Sequence, residues 1–442
     1  MNRTYKDSGV DWVGQIPEDW EMKRLKVILE ERNEKNDPVQ TEFILSLGAS
    51  YGIIPYSEKT GGGNKAKEDY SAYKLAYPGD IVMNSMNIIS GSVGLSKYFG
   101  CVSPVYYMLH PRDDSTNVEY YYMMFQTRAF QRSLLGLGNG ILMKESSNGN
   151  FNTVRMRIPI SKLNALMLPS PSPGEQEKIA RYLTNQCDEI DSLMKRTLAS
   201  IEEYIKLKQT IITNATTKGL RANVKMKASG IEWVEEIPEN WEVLKFKYLA
   251  TDVFKGAGIT KEDVKENGEI PCVRYGEIYT QYNFHFDECK SRTNEDCVSQ
   301  PRYFSYGDIL FTCTGELVEE IGKAIVYLGN EKCMAGGDII VARHKQNPIF
   351  MSYALNSNYA QSQRSHGKAK LKVVHASAYD INNTIMVMPP IEEQEEIATY
   401  LDEKCTEIDS IIEAKELLAK ELELYKKSLI YEYVTGKRRV VD

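Results

Sequence analysis

Apolar residues recur at helical spacing along two long stretches of this 442-residue chain. Ile179, Leu183, Cys187, Ile190, Met194, Leu198, Ile201 and Ile205 step by three or four, which lines one face of a helix. Ile397, Leu401, Cys405, Ile408, Ile412, Leu418, Leu422, Tyr425 and Leu429 keep a similar rhythm. Each stretch begins after proline (Pro173; Pro389 and Pro390), carries glutamate early, and ends near glycine (Gly219; Gly436). Those are start and stop signals of a helix. At 1.5 Å per residue each spans about 60 Å. A helix that long with one apolar stripe needs a partner, and its sister is the economical choice. The expected pairing residues are Ile179, Leu183, Ile190, Met194 and Ile201 against Ile397, Leu401, Ile408, Ile412 and Leu422, giving a two-helix coiled coil.

The rest alternates differently. Residues 79–83 (GDIVM) and 307–311 (GDILF) each read as a turn followed by a buried strand. Helical segments are expected over 118–135 and 349–364, so each middle is an α+β domain with a mixed sheet. The four tryptophans, Trp12, Trp20, Trp233 and Trp241, read as packing anchors beside extended Ile-Pro segments.

These features come in pairs. Residues 8–26 read SGVDWVGQIPEDWEMKRLK and residues 229–247 read SGIEWVEEIPENWEVLKFK, with 10 of 19 positions identical. Residues 175–193 (EQEKIARYLTNQCDEIDSL) and 393–411 (EQEEIATYLDEKCTEIDSI) share 12 of 19. The period is far longer than the 20–50 residues of a solenoid, so each unit is domain-sized. Between the shared flanks little aligns beyond the Gly-Asp-Ile strands. Shared ends with different middles describe one scaffold carrying two different surfaces. The expected boundaries are 1–172, 173–220, 221–390 and 391–442.

Composition, 42% hydrophobic and 26% charged, fits a soluble globular protein. No apolar signal core and no run of about 18 apolar residues occurs, so no membrane span is expected. The eight cysteines lack CxxC spacing and no histidines have ligand spacing. Free thiols in a reducing cytoplasm are expected, with no zinc site. Net charge is −7, but residues 392–432 alone carry −8. Residues 343–375 hold six basic residues and no acids. Local potential, not total charge, attracts phosphate.

No GxxxxGK[ST] phosphate loop is present. Met388-Pro389-Pro390-Ile391 lacks the Asn and the aromatic that a base-flipping amino-methyltransferase motif requires. Cys101 and Cys313 have no histidine partner in sequence logic. No cofactor and no catalytic residue is expected.

The paired Gly-x-x-Trp-x-x-x-Ile-Pro-x-x-Trp openings and the Glu-Gln-Glu-x-Ile-Ala-x-Tyr-Leu helix starts resemble those of Type I restriction-modification DNA-specificity subunits. The resemblance spans essentially the whole chain. It implies two target-recognition domains, each reading half of a split double-stranded DNA site, with helices packed antiparallel between them. It also implies docking of two modification subunits, which carry S-adenosylmethionine and methylate adenine, and further restriction subunits that use ATP to translocate DNA. A fused pair of readers with a fixed spacer also suits two half-sites at fixed distance.

Phosphate contacts are expected from Arg364, Lys368, Lys370 and Lys372, and from Arg128, Arg132 and Lys144. Lys65 and Lys67, beside Gly61-Gly62-Gly63, are expected to form a mobile basic loop. Base edges call for Asn, Ser or Thr, which places Asn84, Ser85 and Asn87 in one domain against Thr312 and Thr314 in the other. The alternative is a coiled-coil adaptor bridging two proteins without DNA, against which the acid-free 343–375 stretch speaks.

Overall fold

The computed structural model describes residues 3–60, 66–141, 155–315, 321–365 and 374–440. The chain divides into two compact units: Met1–Thr197 with Leu417–Asp442, and Leu198–Glu416. The long helices are Pro173–Lys218 and Ile391–Val434, so each unit holds part of both.

The first unit is built on a four-stranded antiparallel sheet in the order Leu29–Arg32, Tyr106–Pro111, Ile81–Asn84, Val93–Leu95. The second repeats that order with Ala250–Lys255, Ile339–His344, Ile309–Thr312 and Ala324–Tyr327, then adds His285–Phe286 in parallel at one edge. A further four-stranded sheet around Ile270–Val273 and Cys333–Ala335 belongs to the second unit. In both units the last strand of the globular part, Met167–Ser170 or Ile385–Met388, pairs with one near its start, Glu21–Arg24 or Glu242–Lys245. The chain therefore closes on itself just before the long helix begins.

The Gly-Asp-Ile pairs are structural. Gly79 and Gly307 take φ of +88° and +82°, which costs glycine nothing. Asp80 accepts the Tyr77 N–H and Asp308 accepts the Ser305 N–H, each at 2.9 Å. Arg32 lies 3.2 Å from Asp80, and Arg343 lies 3.7 Å from Asp308. The carboxylates hold the turn that feeds a fully buried strand.

The segments expected as one helix are each two. Val118–Gln126 is followed by Arg128–Ser133, and Pro348–Leu355 by Asn358–Ser365. Thr127 is extended, and its side chain accepts the Phe130 N–H, which starts the second helix afresh.

Both residues that open the Glu-Gln-Glu motif bind the globular part. Trp20 Nε1 donates to Glu175 at 2.8 Å and Trp241 Nε1 to Glu393 at 3.0 Å. Gln176 accepts the Asn117 N–H and Gln394 accepts the Asn347 N–H, while their amides donate to Pro171 and Pro389 carbonyls.

Within each unit the two long helices run antiparallel. Lys426 meets Asp191 in the first unit, where Tyr182 packs on Tyr433. Lys208 meets Asp409 in the second, where Lys415 lies over Tyr204. Partners that rise along one helix fall along the other. Ile179, Leu183, Ile190, Ile201, Ile397, Leu401 and Ile408 are buried, while Met194, Ile412 and Leu422 are partly so. Ile179 and Leu183 share a core with Trp20, Tyr120, Leu429 and Val434, so the stripe serves the globular part as well as the sister helix. The stripe does not extend as expected: Leu198, Ile205, Leu418 and Tyr425 are 51%, 49%, 42% and 49% exposed. A straight helix turns 3.6 residues per turn, so steps of three and four drift off a single seam.

Candidate nucleic-acid interface

The strand Ile81–Asn84 ends in a tight turn. Asn84 and Ser85 are buried there. Asn84 Oδ1 accepts the Met86 N–H at 3.0 Å, and Ser85 Oγ donates to the Val105 carbonyl at 2.6 Å. Asn84 Oδ1 and Ser85 Oγ fold the turn, and the burial of both side chains speaks against the expectation that they read bases. The turn instead exposes Met86 and Asn87, and leads into the 3-10 segment Ile88–Ser90.

The matching strand of the second unit behaves alike. Thr312 is fully buried against the Tyr279 hydroxyl at 2.7 Å, which removes it from any surface. Thr314 pairs with His375 across a short two-stranded ribbon and lies 3.3 Å from its Nδ1. The first unit has a ribbon between Asn139–Ile141 and Arg155–Arg157. Both ribbons sit beside the Gly-Asp strand: Ile158 N–H bonds Ser85 O at 2.9 Å and Ala376 N–H bonds Cys313 O at 2.8 Å.

Of the basic residues, Arg128, Arg132 and Lys67 are exposed. Arg128 and Arg132 line a groove of about 700 Å³ in the first unit. Lys65, Lys144, Lys368, Lys370 and Lys372 lie outside the described residues. Arg364 overturns its expectation as a phosphate ligand. Its side chain is fully buried, with one nitrogen donating to the Leu355 carbonyl at 2.6 Å and Nε and Nη1 without a partner among the described residues. Burial pulls its pKa down to about 10. A lone arginine near a helix end reads as surface in sequence; packing against Tyr359 and Gly322 decides otherwise. Within the acid-free stretch, His344 is also largely enclosed, and burial lowers its pKa to about 4. Sequence reasoning missed Met86, whose exposure follows from the burial of its two polar neighbours.

Among the described residues no group of three His, Cys, Asp or Glu side chains converges as a metal site would, and no described helix is long and apolar enough to cross a membrane.

Residues 17–203 and 238–420 each match the family described as the Type I restriction modification DNA specificity domain. The chain is 25% identical over 453 residues to a putative type I restriction enzyme MjaX specificity subunit of Methanocaldococcus jannaschii, covering 97% of this chain and 96% of that one. It is 27% identical over 287 residues to the type I restriction enzyme MjaVIII specificity subunit of the same organism, covering 62% and 63%. Two solved structures share the fold. One comes from a study of complex assembly and conformational transition of the type I R-M system (TM-score 0.69, 13% identity, 96% and 99% coverage). The other is the HsdS subunit from Thermoanaerobacter tengcongensis (TM-score 0.52, 14% identity, 96% and 98% coverage). The family is one of DNA-specificity domains rather than adaptors. With that domain present twice across most of its length, this chain belongs to the Type I restriction-modification DNA-specificity family and serves DNA sequence recognition in a restriction-modification complex.

Proposed function

We propose that residues 1–172 and 221–390 are two recognition domains, each reading one half of a bipartite, asymmetric double-stranded DNA site. The helical stretches 173–220 and 391–442 set the unread spacer between the halves. One observation carries this reading: the two units share strand order, turn carboxylates and helix clasps, yet differ in the residues that follow the shared strand, Met86 and Asn87 in one and Thr314 and Gly315 in the other. A common frame with two different faces is what two specificities in one chain require.

The chain itself is a non-catalytic, cytoplasmic subunit. Methylation belongs to two methyltransferase subunits docked on it, and cleavage to restriction and translocase subunits recruited through the complex. This reading puts the docking on the long helices, where Leu198, Ile205 and Leu207 of one and Leu417, Leu418 and Leu424 of the other are exposed.

The test is an exchange of residues 29–166 for the matching segment of another family member, followed by methylome sequencing. The methylated motif should change in one half only. A change in both halves rejects separate reading.

A further inference from the structure

The groove beside Arg128 and Arg132 runs along the long helices of the first unit and gathers Arg128, Arg132, Lys426 and Lys427 with the carboxylates of Asp191 and Glu423. Lys426 pairs with Asp191 at 2.6 Å, and the second unit repeats that pair as Lys208 with Asp409, also at 2.6 Å. That much is shared scaffold.

The other three cations, of which Lys427 is paired with Glu423 on its own helix, are not shared. The helix caps fix the correspondence: Thr127 Oγ1 donates to the Met124 carbonyl at 2.7 Å, and Ser357 Oγ donates to the Ala354 carbonyl at 2.6 Å. One residue on, Arg128 is matched by Asn358, and a turn later Arg132 is matched by Ser362. After the shared lysine on the long helix, Lys427 is matched by Gln209. Three cationic positions of one unit are neutral in the other, on an otherwise repeated frame. The groove also runs up to the turn that exposes Asn87, expected from the sequence to face base edges. Ile89, Ser90 and Gly91 line it, one buried residue beyond exposed Met86 and Asn87. A duplex whose base edges meet that turn brings a phosphate strand, with one charge per roughly 3.4 Å, alongside it.

We infer that Arg128, Arg132 and Lys427 hold the DNA backbone in this groove, a contact to the first half-site that the second unit does not repeat at the matching positions. The inference rests on the DNA-reading function proposed above. Ion release scales with phosphates neutralised, at about 0.9 per contact in the slope of log affinity against log salt.

The experiment measures binding of the full chain to a mixed-sequence duplex by fluorescence anisotropy across a salt series. The R128Q/R132Q/K427Q variant should lower the slope by about 2–3 relative to wild type. The matched variant N358A/S362A/Q209A should leave it unchanged. Circular dichroism of both variants establishes that each is folded. A folded triple-glutamine variant with the wild-type slope overturns the inference, as does an equal fall in the matched variant. Wild type that binds no duplex sinks the DNA-reading function itself, and this inference with it.

Discussion

Trp20 donates its indole N–H to the carboxylate of Glu175 across 2.8 Å, tying the opening segment to the first turn of the first long helix. The ring is fully buried. Its other edge packs on the end of the second long helix, where Gly436 takes φ of +74°. Trp241 repeats the arrangement with Glu393 and Gly219. In each unit one tryptophan clasps the start of one helix and the end of the other.

The clasp should be sensitive at the glycine. A methyl at Gly436 would lie 2.4 Å from Pro17 Cδ and 3.1 Å from Trp20. Gly230 has a similar φ of +72° but open space around its Cα. Gly230→Ala should therefore cost only the left-handed backbone, about 1–2 kcal/mol. Gly436→Ala should cost more, through the added clash. Urea unfolding midpoints compare the two; equal costs would show that the tryptophan does not grip the helix end.

The turn after the Gly-Asp strand makes opposite demands on adjacent residues. Ser85→Ala removes the bond to the Val105 carbonyl and should lower stability by about 1–2 kcal/mol, with the recognised motif unchanged. Asn87→Ala should leave the urea midpoint in place and relax the motif in its first or second half alone. A specificity change from Ser85→Ala at full stability would contradict the assignment.

Arg364 is a buried cation with two nitrogens that have no partner among the described residues. A side chain of similar length without charge relieves the desolvation penalty, and replacing buried ions by apolar residues is often neutral or stabilising by about 1–4 kcal/mol. Arg364→Met should thus be at least as stable as wild type, whereas Arg364→Ala leaves a cavity and should lose about 2–4 kcal/mol. Neither should alter the salt dependence of DNA binding. A flattened salt slope in the methionine variant would restore Arg364 as a phosphate ligand.

His344 gives the second unit a pH dependence. Its Nδ1 accepts the Gln346 N–H at 3.1 Å, and its Nε2 is buried beside the Gly307 backbone, which partly offsets the effect of burial. Burial lowers its pKa from 6.5 to about 4. The unfolded chain therefore takes up a proton before the folded one does. Its stabilising contribution is whole above about pH 6.5 and is lost as pH falls toward 4, by about 3 kcal/mol at the limit. Thermal unfolding at pH 7.5 and pH 5 should show the loss, and His344→Gln should reduce it. An unchanged difference in the variant would assign the effect to other groups.

Local rules carried far where the signal was periodic or repeated. The long helices, their glycine ends and the duplicated scaffold follow from apolar spacing, capping chemistry and two nearly matching pairs of segments, and they suffice to place the chain in its family. The burial of individual polar residues was not legible. Asn84, Ser85 and Thr312 stand where a polar residue after a strand reads as exposed. Their partners are a turn amide, the Val105 carbonyl and the Tyr279 hydroxyl, of which the last two are brought near only by folding. Arg364 became interior because Leu355, Tyr359 and Gly322 close around it. Helical period is a property of a short stretch of chain and survives in sequence. Exposure is a property of what packs against that stretch, and only the tertiary structure decides it.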